Sequence, residues 1–237
     1  MFKAAEMLED RVIIVTDADH FVGPASTSVL ADYGATVVCH GGKPGKGATA
    51  AKSETPDSLV QEVIAKHGRI DALICNDAHP VIRAPIDEAD PAEMRVALET
   101  LVEWPFRLIG QAVPHMKAAR TGKILMITSA APLRGLSNYS MYATAREAGN
   151  ALVKSLSLKL APFNIQVSAI APNYIENPTY FPPELRANEK AMTKMLSDIP
   201  ARRLGKPEEV AETIAFFASD KCSYITRHVV PISGGWA

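Results

Sequence analysis

Short apolar runs alternate with longer amphipathic stretches almost from one end of the chain to the other. Val12–Thr16, Thr36–His40, Ala72–Asn76, Lys123–Thr128, Gln166–Ile170 and Val229–Ile232 are rich in β-branched residues and too short for helices. Unbroken apolar character, rather than alternation, marks a parallel strand covered on both faces, so these runs are predicted to be buried strands. Pro24–Tyr33, Asp57–His67, Ala92–Lys117, Tyr139–Leu160, Pro183–Leu196 and Pro207–Ala218 are the helical candidates between them. Pro207 with Glu208 and Glu209 makes a good helix start, proline in the first turn and acids facing the macrodipole. Strand–helix alternation of this kind predicts an α/β fold, a doubly wound parallel sheet with helices on both faces, formed as one domain over residues 1–237.

Two segments fit neither pattern. Gly41–Thr55, rich in glycine, lysine and alanine, is expected to be a polar surface loop. Asn173–Glu184, with Pro178, Pro182 and Pro183 among Tyr174, Tyr180 and Phe181, is expected to be irregular. Loops beyond the carboxyl ends of parallel strands are where such sheets take ligands.

Composition narrows the function. A chain of 237 residues, 47% of them hydrophobic, supplies one large core. A net charge of −1 offers no basic surface for nucleic acid or an anionic membrane. No stretch approaches the roughly 18 consecutive apolar residues of a membrane span. Met1–Asp10 is charged throughout, unlike an export leader. Cys39, Cys75 and Cys222 stand far apart in apolar surroundings, as buried free thiols of a reducing compartment do. The six histidines show no ligand spacing, which speaks against a metal. The expectation is a cytoplasmic protein acting on small molecules.

In a dinucleotide-binding sheet the turn after the first strand carries glycines, which let a pyrophosphate approach the next helix N-terminus. Here that turn reads Thr16-Asp17-Ala18-Asp19-His20-Phe21-Val22-Gly23. The whole chain resembles the short-chain dehydrogenase/reductase superfamily, whose turn is T-G-x-x-x-G-x-G. Thr16 and Gly23 match that pattern, while Asp17 and Phe21 replace two glycines. A carboxylate repels a pyrophosphate, and a phenyl ring occupies the space it needs. Three further departures agree: Asn76-Asp77-Ala78-His79 stands for N-N-A-G, Cys39-His40-Gly41 lacks the acid that grips a ribose, and Pro172-Asn173 replaces Pro-Gly. The cofactor site is expected to be filled.

The strand Lys123–Thr128 delivers Ser129 to the carboxyl edge of the sheet. Thirteen residues on comes Tyr142, and four further Arg146, on one face of the helix Tyr139–Leu160. Free tyrosine titrates near 10, so a tyrosine base needs a fixed positive charge beside it. Arginine supplies one because it is always protonated. Reductases of the superfamily carry lysine there, which also holds the nicotinamide ribose. Their catalytic asparagine is missing too, since Pro91–Arg120 contains no asparagine.

Together these segments resemble the halohydrin dehalogenases, a Rossmann-like branch of that superfamily without a working dinucleotide loop. One family signature, Thr-x4-Phe/Tyr-x-Gly, is met by Thr16, Phe21 and Gly23, and the other, Ser-x12-Tyr-x3-Arg, by Ser129, Tyr142 and Arg146. The resemblance implies cofactor-free conversion of vicinal halohydrins to epoxide and halide, and reverse ring opening by azide, cyanide or nitrite. Ser129 would hold the hydroxyl, Tyr142 take its proton and Arg146 favour the phenolate. The halide nest would be formed by Phe21 with Pro172, Asn173, Tyr174 and Ile175, backbone N–H groups of Tyr174 and Ile175 donating. Tyr180 and Phe181 would add a wall, and Pro80–Ile86 would help set substrate size. The resemblance also implies a homotetramer built through the helices Ala92–Lys117 and Tyr139–Leu160. Asp17 and Asp77 are expected as solvated loop ends, with ordering of the cavity through hydrogen bonds as the alternative, and Trp236 either caps the sheet or reaches a neighbouring subunit. A reductase with an altered phosphate loop and a non-catalytic binding relative remain the alternatives.

Overall fold

A strand that is apolar on both faces must be covered twice, and the sheet is built that way. The computed structural model describes residues 7–43 and 45–237. The reading of Met1–Asp10 thus falls largely outside the described residues. The strands are β1 Val12–Val15, β2 Thr36–Cys39, β3 Ala48–Ala50, β4 Ala72–Cys75, β5 Gly122–Ile127, β6 Ile165–Pro172 and β7 Val229–Ile232. They form one sheet in the order β3-β2-β1-β4-β5-β6-β7, parallel throughout. The helices are α1 Gly23–Asp32, α2 Pro56–His67, α3 Pro91–Leu98, α4 Trp104–Ala119, α5 Ala131–Arg134, α6 Ser140–Leu160, α7 Pro183–Ala187, α8 Glu189–Ser197 and α9 Pro207–Ala218.

Successive strand residues point to opposite faces. Ile13, Val15, Ile74, Leu125, Ile127 and Ile170 pack with Leu30 of α1 and Val210 and Ile214 of α9. Their neighbours Ile14, Leu73, Ile124, Met126 and Val167 pack on the other face with Leu59 and Val63 of α2, Leu108 and Met116 of α4, and Val153 of α6. This is the doubly wound Rossmann-like arrangement. The strand order reverses between β1 and β4, so the crevice at their carboxyl ends is the place for a ligand.

Three expectations need correction. Gly41–Thr55 is not wholly a loop: Ala48–Ala50 adds an edge strand, paired with Val37–Cys39. Three small residues carry too little apolar signal to announce it. Ala92–Lys117 is not one α-helix, because Glu99–Glu103 forms a π-helical turn in which the Trp104 N–H donates to the Glu99 carbonyl. The turn immediately precedes Pro105, which has no N–H for the Leu101 carbonyl and crowds it sterically. Pro183–Leu196 divides at Asn188, whose side chain accepts the Ala191 N–H at 3.0 Å and starts α8. Other boundaries shift by a residue or two, α6 beginning at Ser140 and β6 running on to Pro172.

Among the described residues no helix is long and apolar enough to cross a membrane, and no cluster of His, Cys, Asp or Glu could hold a metal ion. Cys39, Cys75 and Cys222 are free and buried.

Candidate active site

Beyond Ile127 the chain stays joined to β6. Thr128 donates its N–H to the Ile170 carbonyl at 2.8 Å, and Ala130 donates to Pro172 at 3.1 Å. Ser129 is thereby held at the carboxyl edge, buried, its Oγ accepting the Ala131 N–H at 3.1 Å. That bond uses an acceptor site of the hydroxyl and leaves its proton for another partner.

Helix α6 buries a stripe including Tyr142, Ala145, Arg146, Gly149, Val153 and Leu160. A Cβ on Gly149 would lie 3.3 Å from Met126 Cε and Thr128 Cγ2, so the missing side chain lets α6 approach β5 closely. Tyr142 and Arg146 lie on the same stripe, nearer the start of the helix. The Arg146 Cζ lies 5.3 Å from the Tyr142 ring centroid, within cation–π range. Its Nη1 donates to the carbonyls of Asp77 at 3.1 Å and Ile127 at 2.9 Å, which ties the guanidinium to the ends of β4 and β5. Arg146 therefore sits buried beneath the tyrosine.

The β1–α1 turn keeps the backbone of a glycine turn without its glycines. Asp17 and Phe21 have φ of 42° and 51°, a left-handed conformation that is uncommon for a side-chain-bearing residue and a genuine outlier for a bulky one. Gly23 is retained because a Cβ there would lie 2.6 Å from the Ala18 carbonyl oxygen. Hydrogen bonds hold the turn against the chain after β4. Asn76 N–H donates to Thr16 Oγ1 at 2.9 Å, Asn76 Nδ2 to the carbonyls of Asp17 and His20 at 2.9 and 3.0 Å, and Ala78 N–H to Asp17 Oδ2 at 2.8 Å.

A nicotinamide dinucleotide, which the fold accommodates elsewhere, does not fit these residues. The Asp17 carboxylate faces the backbone at Gly41, the Asp19 carboxylate lies in the space a Gly42 side chain would take, and Phe21 closes the front of the turn. Like charge and occupied volume both oppose a pyrophosphate.

Asp77, read from the sequence as a solvated loop end, is instead buried. Burial first, then the carboxylate of Asp17, push its carboxyl up to about 7, against the pull of Arg146. Asp17 is half-buried and bonded to Ala78, so it too is part of the built turn. His79 is lowered by its burial and by Arg146, while Glu93 pulls the other way.

The remaining candidates meet around one cavity of about 330 Å³. Ser129 and Tyr142 lie on its wall, and so do Phe21, Pro172, Asn173, Tyr174 and Ile175. Tyr180 and Phe181 close it from the late loop, Phe21 and Tyr180 meeting edge to face at 6.4 Å. Arg146 is not on the wall but behind it. The two backbone donors expected of the late loop differ: Tyr174 N–H, at a left-handed φ of 54°, already donates to Asn173 Oδ1 at 2.9 Å. Among the described residues no protein acceptor takes the Ile175 N–H. Desolvation raises the Tyr180 phenol, the nearby Tyr142 adding to this and Arg146 opposing it.

Sequence reasoning missed Leu136 and Tyr139, which approach the wall from the turn before α6, and Leu185 and Met195, which reach it from α7 and α8. Only the position of Tyr139, one helical turn before Tyr142, could have signalled its place. Trp236 is buried under Arg134 and against Tyr174 of its own chain.

A family profile described as enoyl-(acyl carrier protein) reductase matches residues 26–237. A 3-oxoacyl-(acyl-carrier-protein) reductase of Thermotoga maritima is 32% identical over 96% of this chain and 98% of its own. The chain belongs to the short-chain dehydrogenase/reductase superfamily that these define. Within it, the structure closely matches the halohydrin dehalogenases. A solved structure of a dehalogenation enzyme is 44% identical, with a TM-score of 0.93, covering 98% of this chain and 100% of that one. A halohydrin dehalogenase bound to ethyl (2S)-oxiran-2-ylacetate is 32% identical, with a TM-score of 0.88, covering 94% of this chain and 96% of that one.

Proposed function

We propose that the protein converts vicinal halohydrins to epoxides with release of halide, without a nicotinamide. The observation that carries this reading is the convergence of Ser129, Tyr142 and the Phe21–Ile175 end on one cavity, with Arg146 buried behind the tyrosine. In this reading the Ser129 hydroxyl orients the substrate hydroxyl beside Tyr142. Tyr142, with the Arg146 guanidinium 5.3 Å from its ring, acts as the base and takes the hydroxyl proton. The alkoxide oxygen then bonds to the neighbouring carbon as the carbon–halogen bond breaks and the halide leaves with the electron pair. Charge develops on the halide at the end formed by Phe21, Pro172, Asn173 and Tyr174, where the Ile175 N–H is a fixed donor in an apolar wall. The displacement involves no net oxidation or reduction, so the reaction has no use for a nicotinamide.

Run backwards, the same groups open an epoxide: a small anion attacks from the halide end and Tyr142 returns the proton. Azide, cyanide and nitrite are the small anions proposed to act there. The direct test is azide with a terminal epoxide, followed by azido alcohol formation, with bromide as competitor. The expected result is turnover that bromide inhibits competitively against azide and that Tyr142→Phe abolishes. Turnover indifferent to the Tyr142→Phe change contradicts the reading.

A homotetramer is part of the proposal. Val96 of α3, Phe106 of α4 and Leu158 of α6 are large apolar side chains left exposed on helices of one face of the sheet. Symmetric pairing of these helices would cover them.

A further inference from the structure

The cavity wall is apolar or neutral except at one place. Its single formal charge among the described residues is Arg83, from the chain between β4 and α3. Ser129 and Tyr142 are buried at the inner end, whereas Arg83 is exposed, so the charge stands at the mouth. Its Cζ lies 4.9 Å over the centroid of the Tyr139 ring, which also lines the cavity. Stacking fixes the plane of a guanidinium and leaves its in-plane N–H fork free. No carboxylate or other acceptor among the described residues engages that fork.

The neighbouring cation is differently placed. Arg134 stacks on Trp236 at 4.7 Å and donates to the Trp236 carbonyl at 3.2 Å. Its charge adds to the field at the mouth, while its donors are partly committed. Burial raises the Tyr174 phenol in the cavity wall, the Asp198 carboxylate and Tyr139 adding to that rise and Arg134 and Arg83 opposing it. A halohydrin needs no cation for its own chemistry, since halide and alkoxide charges develop at the inner end. An unengaged, ring-stacked arginine facing the entrance instead suits a planar anion carried by the substrate itself.

We propose that Arg83 is a specificity-determining residue which binds a substrate carboxylate, making hydroxy acids with a terminal halohydrin, and the matching epoxy acids, the preferred substrate class. This rests on the dehalogenase reading. The reacting end is unchanged: Tyr142 takes the hydroxyl proton, the C–O bond forms, the carbon–halogen bond breaks, and the carboxylate stays paired with Arg83 throughout.

The test compares kcat/KM for γ-chloro-β-hydroxybutanoate and for its uncharged ethyl ester. The wild-type chain should prefer the acid about tenfold, the scale of one charge-assisted pair at a partly exposed site. Added salt should erode that preference, because the pair is open to screening. Arg83→Gln should collapse the acid-to-ester ratio through KM for the acid, and Arg83→Lys should restore part of it. Equal use of acid and ester by the wild-type chain, or an equal fall for both in Arg83→Gln, overturns the assignment. Ester turnover without acid preference therefore sinks this inference alone. Absence of product from both substrates sinks the dehalogenase reading and this inference with it.

Discussion

Asp17, Phe21 and Tyr174 all hold a left-handed backbone, and all three belong to the segments that shape the cavity. Each such residue costs on the order of 1–3 kcal/mol, which persists only where the surroundings fix it. Here the Asp17 and Asn76 hydrogen bonds do so. At this scale the arrangement was legible: Ser129 and Tyr142 meet on one cavity with Arg146 against the Tyr142 ring, as their spacing on one strand end and one helix face implies. The surroundings of Asp77 were not, because the charges that act on it, Asp17 and Arg146, are distant in sequence. Replacing Tyr142 with Phe should lower kcat by about a thousandfold, within the usual range for losing a general base, with little change in the unfolding midpoint. Asp77 gives a pH prediction. With its carboxyl raised to about 7, the folded chain keeps a proton that an unfolded aspartate releases. Its contribution to stability is full below about pH 4 and is lost as pH rises towards about 7. Asp77→Asn should therefore flatten that decline and stabilise the chain at about pH 8 relative to the wild type. Denaturant midpoints measured across this range would show it, and parallel pH profiles for the two proteins would exclude it.

Among the elements, α2 shows how far local rules reach. Thr55 caps it, accepting the Ser58 N–H while the Ser58 hydroxyl accepts the Thr55 N–H, and Gly68 ends it in the left-handed conformation. Thr55→Ala should cost about 1 kcal/mol of unfolding free energy, read by denaturant titration, with activity retained. Strands buried on both faces and helices with clear stripes were legible for the same reason: their pattern is dictated by burial. Ala48–Ala50 was not, since an edge strand is stabilised by backbone pairing rather than side-chain burial. The π turn at Glu99–Glu103 answers to Pro105, a signal visible in the sequence but outweighed there by the long apolar periodicity. The division at Asn188 is a cap inside a continuous pattern, and only the Asn188–Ala191 hydrogen bond decides it.

The whole molecule is a superfamily sheet whose strand order leaves a ligand crevice between β1 and β4. Reductases of similar fold and this chain differ in what fills that crevice. Asp17, Asp19 and Phe21 occupy the nucleotide side, and the substrate side is retained as a cavity. Addition of the chain to NADPH should leave nicotinamide fluorescence unchanged, whereas saturable quenching or a shift would show that the turn still admits the cofactor. Light scattering should give a mass four times that of the 25.5 kDa chain, and Phe106→Glu with Leu158→Glu should lower it.

The most direct test of cofactor-free dehalogenation is to incubate the purified chain with a vicinal bromoalcohol, no nicotinamide present, and to follow bromide and epoxide together. Equal amounts of both, lost on Tyr142→Phe, are the predicted result. No bromide from small or bulky bromoalcohols, combined with measurable NADPH binding, would contradict it.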